Sequence, residues 1–211
     1  MDSAGKPDRT GSPTTTLIGV LVVVFLFQRL LEVFGGSPVA FALAWPLSDR
    51  PWTLVTGVLA HGGLFHLATN ALALFVIGVV LERRTEPWRF YAFFLAVGAV
   101  AGVMEVTVAQ VLGRQVAVLG ASGAIFGLFG YLLAGNLIID AVTARLTVDP
   151  RVTIIVVIGV ALTITWLTRG KRVALVAHFT GLVLGLLGGR THVLRSRGTA
   201  TEASDSDRRR L

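Results

Sequence analysis

The chain has 211 residues, 54% of them apolar and only 15% charged, with a formal net charge of +7. Soluble domains run nearer 45–50% apolar and about 25% charged; at a mean hydropathy of +0.75 a soluble globule would leave apolar surface facing water, so the bulk of this chain belongs among membrane lipids. The absence of cysteine excludes a disulfide framework, a thiolate metal site and a cysteine nucleophile, and basic residues scattered between apolar stretches and in the tails argue against a nucleic-acid partner.

In chain order, residues 1–15 are polar and rich in Ser, Thr, Gly and Pro, which predicts a disordered tail. Lys6 and Arg9 ahead of Leu17–Phe27 could open a signal peptide. No small-residue cleavage site closely follows and the apolar run continues to Phe34, so a retained first membrane helix is the better expectation. Six apolar stretches are expected as helices: Thr16–Phe34, Leu64–Leu81, Phe90–Val111, Val116–Ile139, Val152–Leu167 and Val173–Gly189. About 20 residues cross the hydrocarbon core, with roughly 17 as the lower limit, so the last two are marginal in length. The long break Gly35–Gly63, with Trp45, Trp52, Pro38 and Pro46, suits a partly buried interfacial loop. Residues 191–211 form a polar tail, in which His192 is expected to be solvated. The expected architecture is an all-α membrane protein of six transmembrane helices over residues 16–190.

Six crossings put both termini on one side. With that side cytoplasmic, 13 of the 19 basic residues lie inside and 6 outside (Arg29, Arg50, Arg114, Arg169, Lys171 and Arg172). The positive-inside rule therefore places both ends in the cytoplasm of a multi-pass cell-membrane protein.

Polar side chains inside apolar stretches are costly in lipid and are usually paired or functional. His66 and Asn70 lie one turn apart on one face of the second stretch. At 1.5 Å per residue, Asn70 falls about 9 Å in from Leu64, Ser122 about 9 Å from Val116 and His178 about 9 Å from Arg172, a similar depth on the outer side. Gly123, Gly127 and Gly130 make a stripe on the fourth stretch; His178, Gly181, Gly185 and Gly189 make one on the sixth. Such stripes are by themselves ordinary membrane packing. With a hydroxyl and an imidazole on the two stripes at one depth, close packing would bring Ser122 and His178 within hydrogen-bond reach. His61 reads as a loop anchor at the interface, and Glu105 near the outer end of the third stretch as a structural residue. A pair of structural hydrogen bonds remains the alternative for His66 and Asn70.

Three motifs then resemble those of the rhomboid intramembrane proteases. His61-Gly-Gly-Leu-Phe-His66-Leu-Ala-Thr-Asn70 is similar to the family's HGxxxHLxxN signature, Gly120-Ala-Ser122-Gly123-Ala-Ile-Phe126-Gly127 to GxSGxxxG, and Ala177-His178-Phe-Thr-Gly181-Leu-Val-Leu-Gly185 to AHxxGxxxG. Glu82, twelve residues after Asn70, matches a glutamate many members carry at the inner end of the second helix. The resemblance covers residues 16–190. It implies a rhomboid-like bundle acting as a serine endopeptidase on transmembrane protein substrates, without cofactor or metal. Ser122 would be the nucleophile and His178 the general base and acid. His66, Asn70 and the Ser122 N–H would hold the oxyanion; His61, Gly120, Gly123, Phe126, Gly127, Gly181 and Gly185 would support them by packing. Two departures stand out: Trp52-Thr53 replaces a Trp-Arg pair of the first loop, and Phe126 stands where some members have Tyr. A non-catalytic rhomboid-like protein that binds and routes membrane proteins is the alternative; it would have lost Ser or His, and both are present.

Overall fold

The computed structural model describes residues 11–134 and 174–194. The expected fifth stretch and the end of the fourth lie outside them. Helix α1 spans Pro13–Val33, α2 Thr53–Leu59, α3 Leu64–Glu82, α4 Pro87–Val111, α5 Ser122–Ala134 and α6 Leu175–Arg190. Among the described residues, α1, α3 and α4 are long and apolar enough to cross a membrane, while α5 and α6 are shorter apolar helices. Among the described residues the secondary structure is thus helical, apart from a two-residue antiparallel pairing of β1 (Leu43–Ala44) with β2 (Ala117–Val118).

Helix α1 begins at Pro13, not Thr16, so the tail gives up three residues. The cause is local chemistry: Ser12 accepts the Thr15 N–H through its side chain at 3.1 Å, and Pro13 supplies a helical φ at the first position, where no N–H is needed. Ser12 also donates to Glu82 at the far end of α3 at 2.7 Å, and Glu82 accepts the Thr14 N–H at 3.1 Å. At the other end of the chain, Leu194 is 1% exposed and its N–H reaches the Tyr131 hydroxyl. Packing therefore runs four residues into the expected tail.

The break before α3 is ordered. A 3₁₀ turn (Pro38–Phe41), β1 and α2 fold it against α4 and α1. Arg50 donates to the Val39 carbonyl at 3.0 Å and the Trp52 indole to that of Ala40 at 3.4 Å. The basic anchor of this loop thus precedes Trp52 by two residues instead of following it. The composition of this break, mixed and short of period, gave no sign of α2.

Leu21, Leu74, Phe90, Phe94 and Leu128 are fully enclosed where α1, α3, α4 and α5 meet, whereas Val23, Leu26, Leu30, Leu72 and Val76 face outward as lipid-facing side chains. Since lipid is as apolar as leucine, helix association depends on close fit instead of water exclusion. The closest fit is α5 against α6. A Cβ at Gly181 would run into the Gly123 carbonyl, and one at Gly185 into the Gly127 carbonyl. Both stripes interlock backbone to backbone.

Gly185→Leu should therefore force α5 and α6 apart, at about 3 kcal/mol or more on the scale of overpacking. That corresponds to a Tm fall of about 6–12 °C. Gly19→Leu, at a position with open space around it, should leave Tm within a degree or two of wild type; thermal unfolding of both variants in one detergent checks the contrast.

Candidate active site

The expected depth of Ser122 rested on a helix starting at Val116, and this is corrected. Residues 117–118 are extended, and Gly120 has φ +127°, a backbone that L side chains rarely adopt. The chain turns sharply there, pinned by the Gly120 N–H on the Gly57 carbonyl at 2.8 Å. Helix α5 then opens with Ser122 itself. Gly120 is required a second time by space, because a Cβ would lie 2.7 Å from the His66 ring. His178 stands in the first turn of α6, the fourth residue from Leu175. Asn70 is the seventh residue of α3, as counting from Leu64 expects.

These starts converge. Ser122 Oγ and His178 Nε2 are 2.8 Å apart. The His178 ring stacks on Phe126 at 4.4 Å between centroids and 17° between planes. Phe126 is one turn along α5 from Ser122, so a single helix carries both the hydroxyl and the surface that sets the imidazole plane. His178 is 8% exposed, and its Nδ1 has no hydrogen-bond partner among the described residues.

His66 and Asn70 face the same space from α3. The Asn70 amide donates to the His66 carbonyl at 2.8 Å, an intrahelical bond that fixes the side chain and leaves its second N–H for another acceptor. His61 lies inside the fold, not on its surface. It is fully buried, its Nδ1–H donating to the Leu59 carbonyl at 3.1 Å and its ring edge on His66 at 5.0 Å between centroids. In that turn, outside the spanning helices, burial is the main cause that pushes His61 from 6.5 down to about 4; the neighbouring His66 adds to it and the Leu59 carbonyl opposes it. His61 is therefore neutral at pH 7. Its own N–H is held by the side chain of Gln28 at 3.0 Å, and Gln28 is fully buried on α1. Sequence reasoning passes over Gln28, although an amide inside an apolar stretch is the same signal that marks Asn70.

A cavity of about 1210 Å³ joins these groups, lined by His66, Asn70, Gly120, Ser122, Phe126 and His178 among others. It lies at the helix starts that face away from Ser12 and Glu82. Helix N-termini favour negative charge through their unpaired N–H groups and dipole. A hydroxyl on an imidazole, beside polar N–H groups in an apolar enclosure, is suited to acyl chemistry.

Comparison with known proteins agrees with the motifs. The Rhomboid domain family matches residues 48–195. Rhomboid protease GluP of Bacillus subtilis (strain 168) is 34% identical over 133 residues, covering 59% of this chain and 25% of GluP. RHOMBOID-like protein 5 of Arabidopsis thaliana is 33% identical over 144 residues, covering 68% of this chain and 45% of that protein. Inactive RHOMBOID-like protein 8 of the same plant is 27% identical over 139 residues, covering 62% and 38% respectively. The chain spans 25–45% of the length of these curated relatives. It is a membrane protein and belongs to the rhomboid family.

The double constraint on Gly120 gives a test. Gly120→Ala combines a left-handed backbone, costing about 1–3 kcal/mol, with a clash on His66. Gly113→Ala, with φ +70° and open space, carries the backbone cost alone. Thermal unfolding should rank Gly120→Ala clearly below Gly113→Ala, and both below wild type.

Proposed function

We propose that this chain is an intramembrane serine endopeptidase that hydrolyses peptide bonds in or near transmembrane helices of other membrane proteins. The observation that carries the reading is the 2.8 Å contact of Ser122 Oγ with His178 Nε2 inside the apolar cavity. A serine hydroxyl is a weak nucleophile until a base accepts its proton. With Nδ1 carrying the ring proton, Nε2 takes the Ser122 proton as Oγ bonds to the substrate carbonyl carbon. The imidazolium then returns that proton to the leaving amine as the C–N bond breaks. Water, deprotonated at the same Nε2, releases the acid product from the acyl-enzyme and restores Ser122.

The carbonyl oxygen becomes an oxyanion during both additions. Ser122 is the first residue of α5, so its N–H has no acceptor within the helix; with the second Asn70 N–H and His66 it forms the proposed oxyanion site. Losing one such donor costs about 2.7–4 kcal/mol of barrier. No carboxylate is needed to orient His178 at Nδ1 if the Phe126 stack fixes the ring, which supports a dyad over a triad. The proposed setting is a six-crossing bundle in the cell membrane, with both termini cytoplasmic and the cavity toward the outer side.

The match to a relative named inactive gives the rival reading, a non-catalytic binding protein, its footing. The retained contact of Ser122 with His178 favours the protease. Purified protein in liposomes with a transmembrane test substrate distinguishes them. Wild type should cleave, while Ser122→Ala and His178→Ala should be inactive yet folded; equal cleavage by either variant would sink the dyad.

Asn70 separates oxyanion binding from structure. Asn70→Ala should lower kcat by about 10²-fold, because the interaction develops only in the transition state. Its intrahelical bond contributes at most the ~0.6–2 kcal/mol of a membrane hydrogen bond, so Tm should change little. Full turnover with a clearly lower Tm would make Asn70 a packing residue.

A further inference from the structure

Glu105 is an ionisable residue inside a helix long and apolar enough to cross the membrane, and the chemistry above does not use it. In lipid such a group persists where it has a partner, and its partner is a backbone group. Glu105 Oε2 accepts the Ala177 N–H at 3.0 Å. Helix α6 needs that acceptor: its cap residue, Ala174, offers no side-chain hydrogen bond. The first intrahelical bond runs from the His178 N–H to the Ala174 carbonyl at 3.1 Å, which leaves the preceding first-turn N–H groups without intrahelical acceptors. Ala177 is 4% exposed, so its N–H needs a protein acceptor. Helix α4 supplies the cap that the sequence of α6 lacks.

The same face of α4 reaches the other half of the pair. Ala101 lies one turn before Glu105, and a Cβ on Gly123 would come within 2.9 Å of the Ala101 Cβ. Gly123 follows Ser122, and Ala177 precedes His178. Two successive turns of one helix therefore touch the neighbour of each reacting residue, which sets the height of α6 against α5. His178 lies in a first turn, where helices fray most readily. Loosening that turn would carry Nε2 away from Oγ.

We propose that Glu105 is a positioning residue for His178, acting as a cap on the backbone of α6; the inference rests on the protease reading. Glu105 stands apart from the residues lining the cavity, so its loss should fall on kcat and leave KM nearly unchanged. Misplacement of a reacting group by about 1 Å can cost 10²-fold, and Glu105→Ala should lower kcat by about 10- to 100-fold. Glu105→Gln keeps an acceptor oxygen at the same reach and should stay within about threefold of wild type, while Glu105→Asp keeps the carboxyl group but falls one methylene short and should resemble alanine.

The test measures kcat, KM and Tm for wild type and the three variants, with amide hydrogen exchange over residues 174–178, in full-length protein. Faster exchange and lower kcat in Ala and Asp, with Gln close to wild type, is the expected pattern. Where alanine fails to fold, the Gln–Asp pair decides. Unchanged exchange, unchanged kcat, a kcat loss matched by loss of folded protein, or an active Asp beside an impaired Gln would each overturn the positioning role. Absence of cleavage by wild type would instead overturn the protease reading, and the positioning role with it.

Discussion

Ser122 and His178 sit on different helices, and what holds them at hydrogen-bonding distance is backbone. Where α5 and α6 cross, the Gly123 and Gly127 carbonyls press against Gly181 and Gly185 so closely that no Cβ fits between. Side chains can change rotamer, but a contact between backbones has no such slack. Lipid gives the two helices no hydrophobic reason to associate, so this fit replaces the water exclusion that drives helix packing in a soluble protein. The Phe126 stack and the cap on α6 act on top of it, the first setting the ring plane and the second the start of the turn.

Several polar groups in the described bundle bond to backbone, some at the ends of elements and some, like Asn70, within a helix. The Asn70 amide bonds to its own helix, His61 to a turn carbonyl, Gln28 to the His61 N–H, and Glu82 to the start of α1. Each partner is a backbone group, and for the buried His61 N–H an unmade bond would cost more than a made one returns. Glu82 and Gln28 use such bonds to tie separate elements together. The same kind of bond anchors the first loop, where Arg50 and Trp52 both seek carbonyls of the 3₁₀ turn.

Much of the site was legible in the sequence because lipid makes polar residues conspicuous. Asn70, Ser122 and His178 stood out as exceptions in apolar runs, and the glycine spacing indicated which helices approach. The starts of α1, α4 and α5 differ from those expected for one reason: apolarity marks what belongs in lipid, not where a helix begins. A serine cap moved α1 three residues earlier, and a left-handed glycine moved α5 six residues later. Helix α2 was invisible, since seven residues pinned by long-range contacts carry no helical period of their own. The cap from Glu105 was hidden because its partner is an amide hydrogen, which has no letter in a sequence.

The tie between the start of α1 and the end of α3 bears on how the protein assembles. Ser12 and Thr14 emerge from the ribosome early, but Glu82 is 70 residues beyond Ser12. Ser12 caps the Thr15 N–H from within α1, but until α3 has been made the Thr14 N–H is without its carboxylate acceptor. The start of α1 thus gains its tie to Glu82 only when α3 is in place. A chain cut short before Glu82 would lack both of these bonds between α1 and α3.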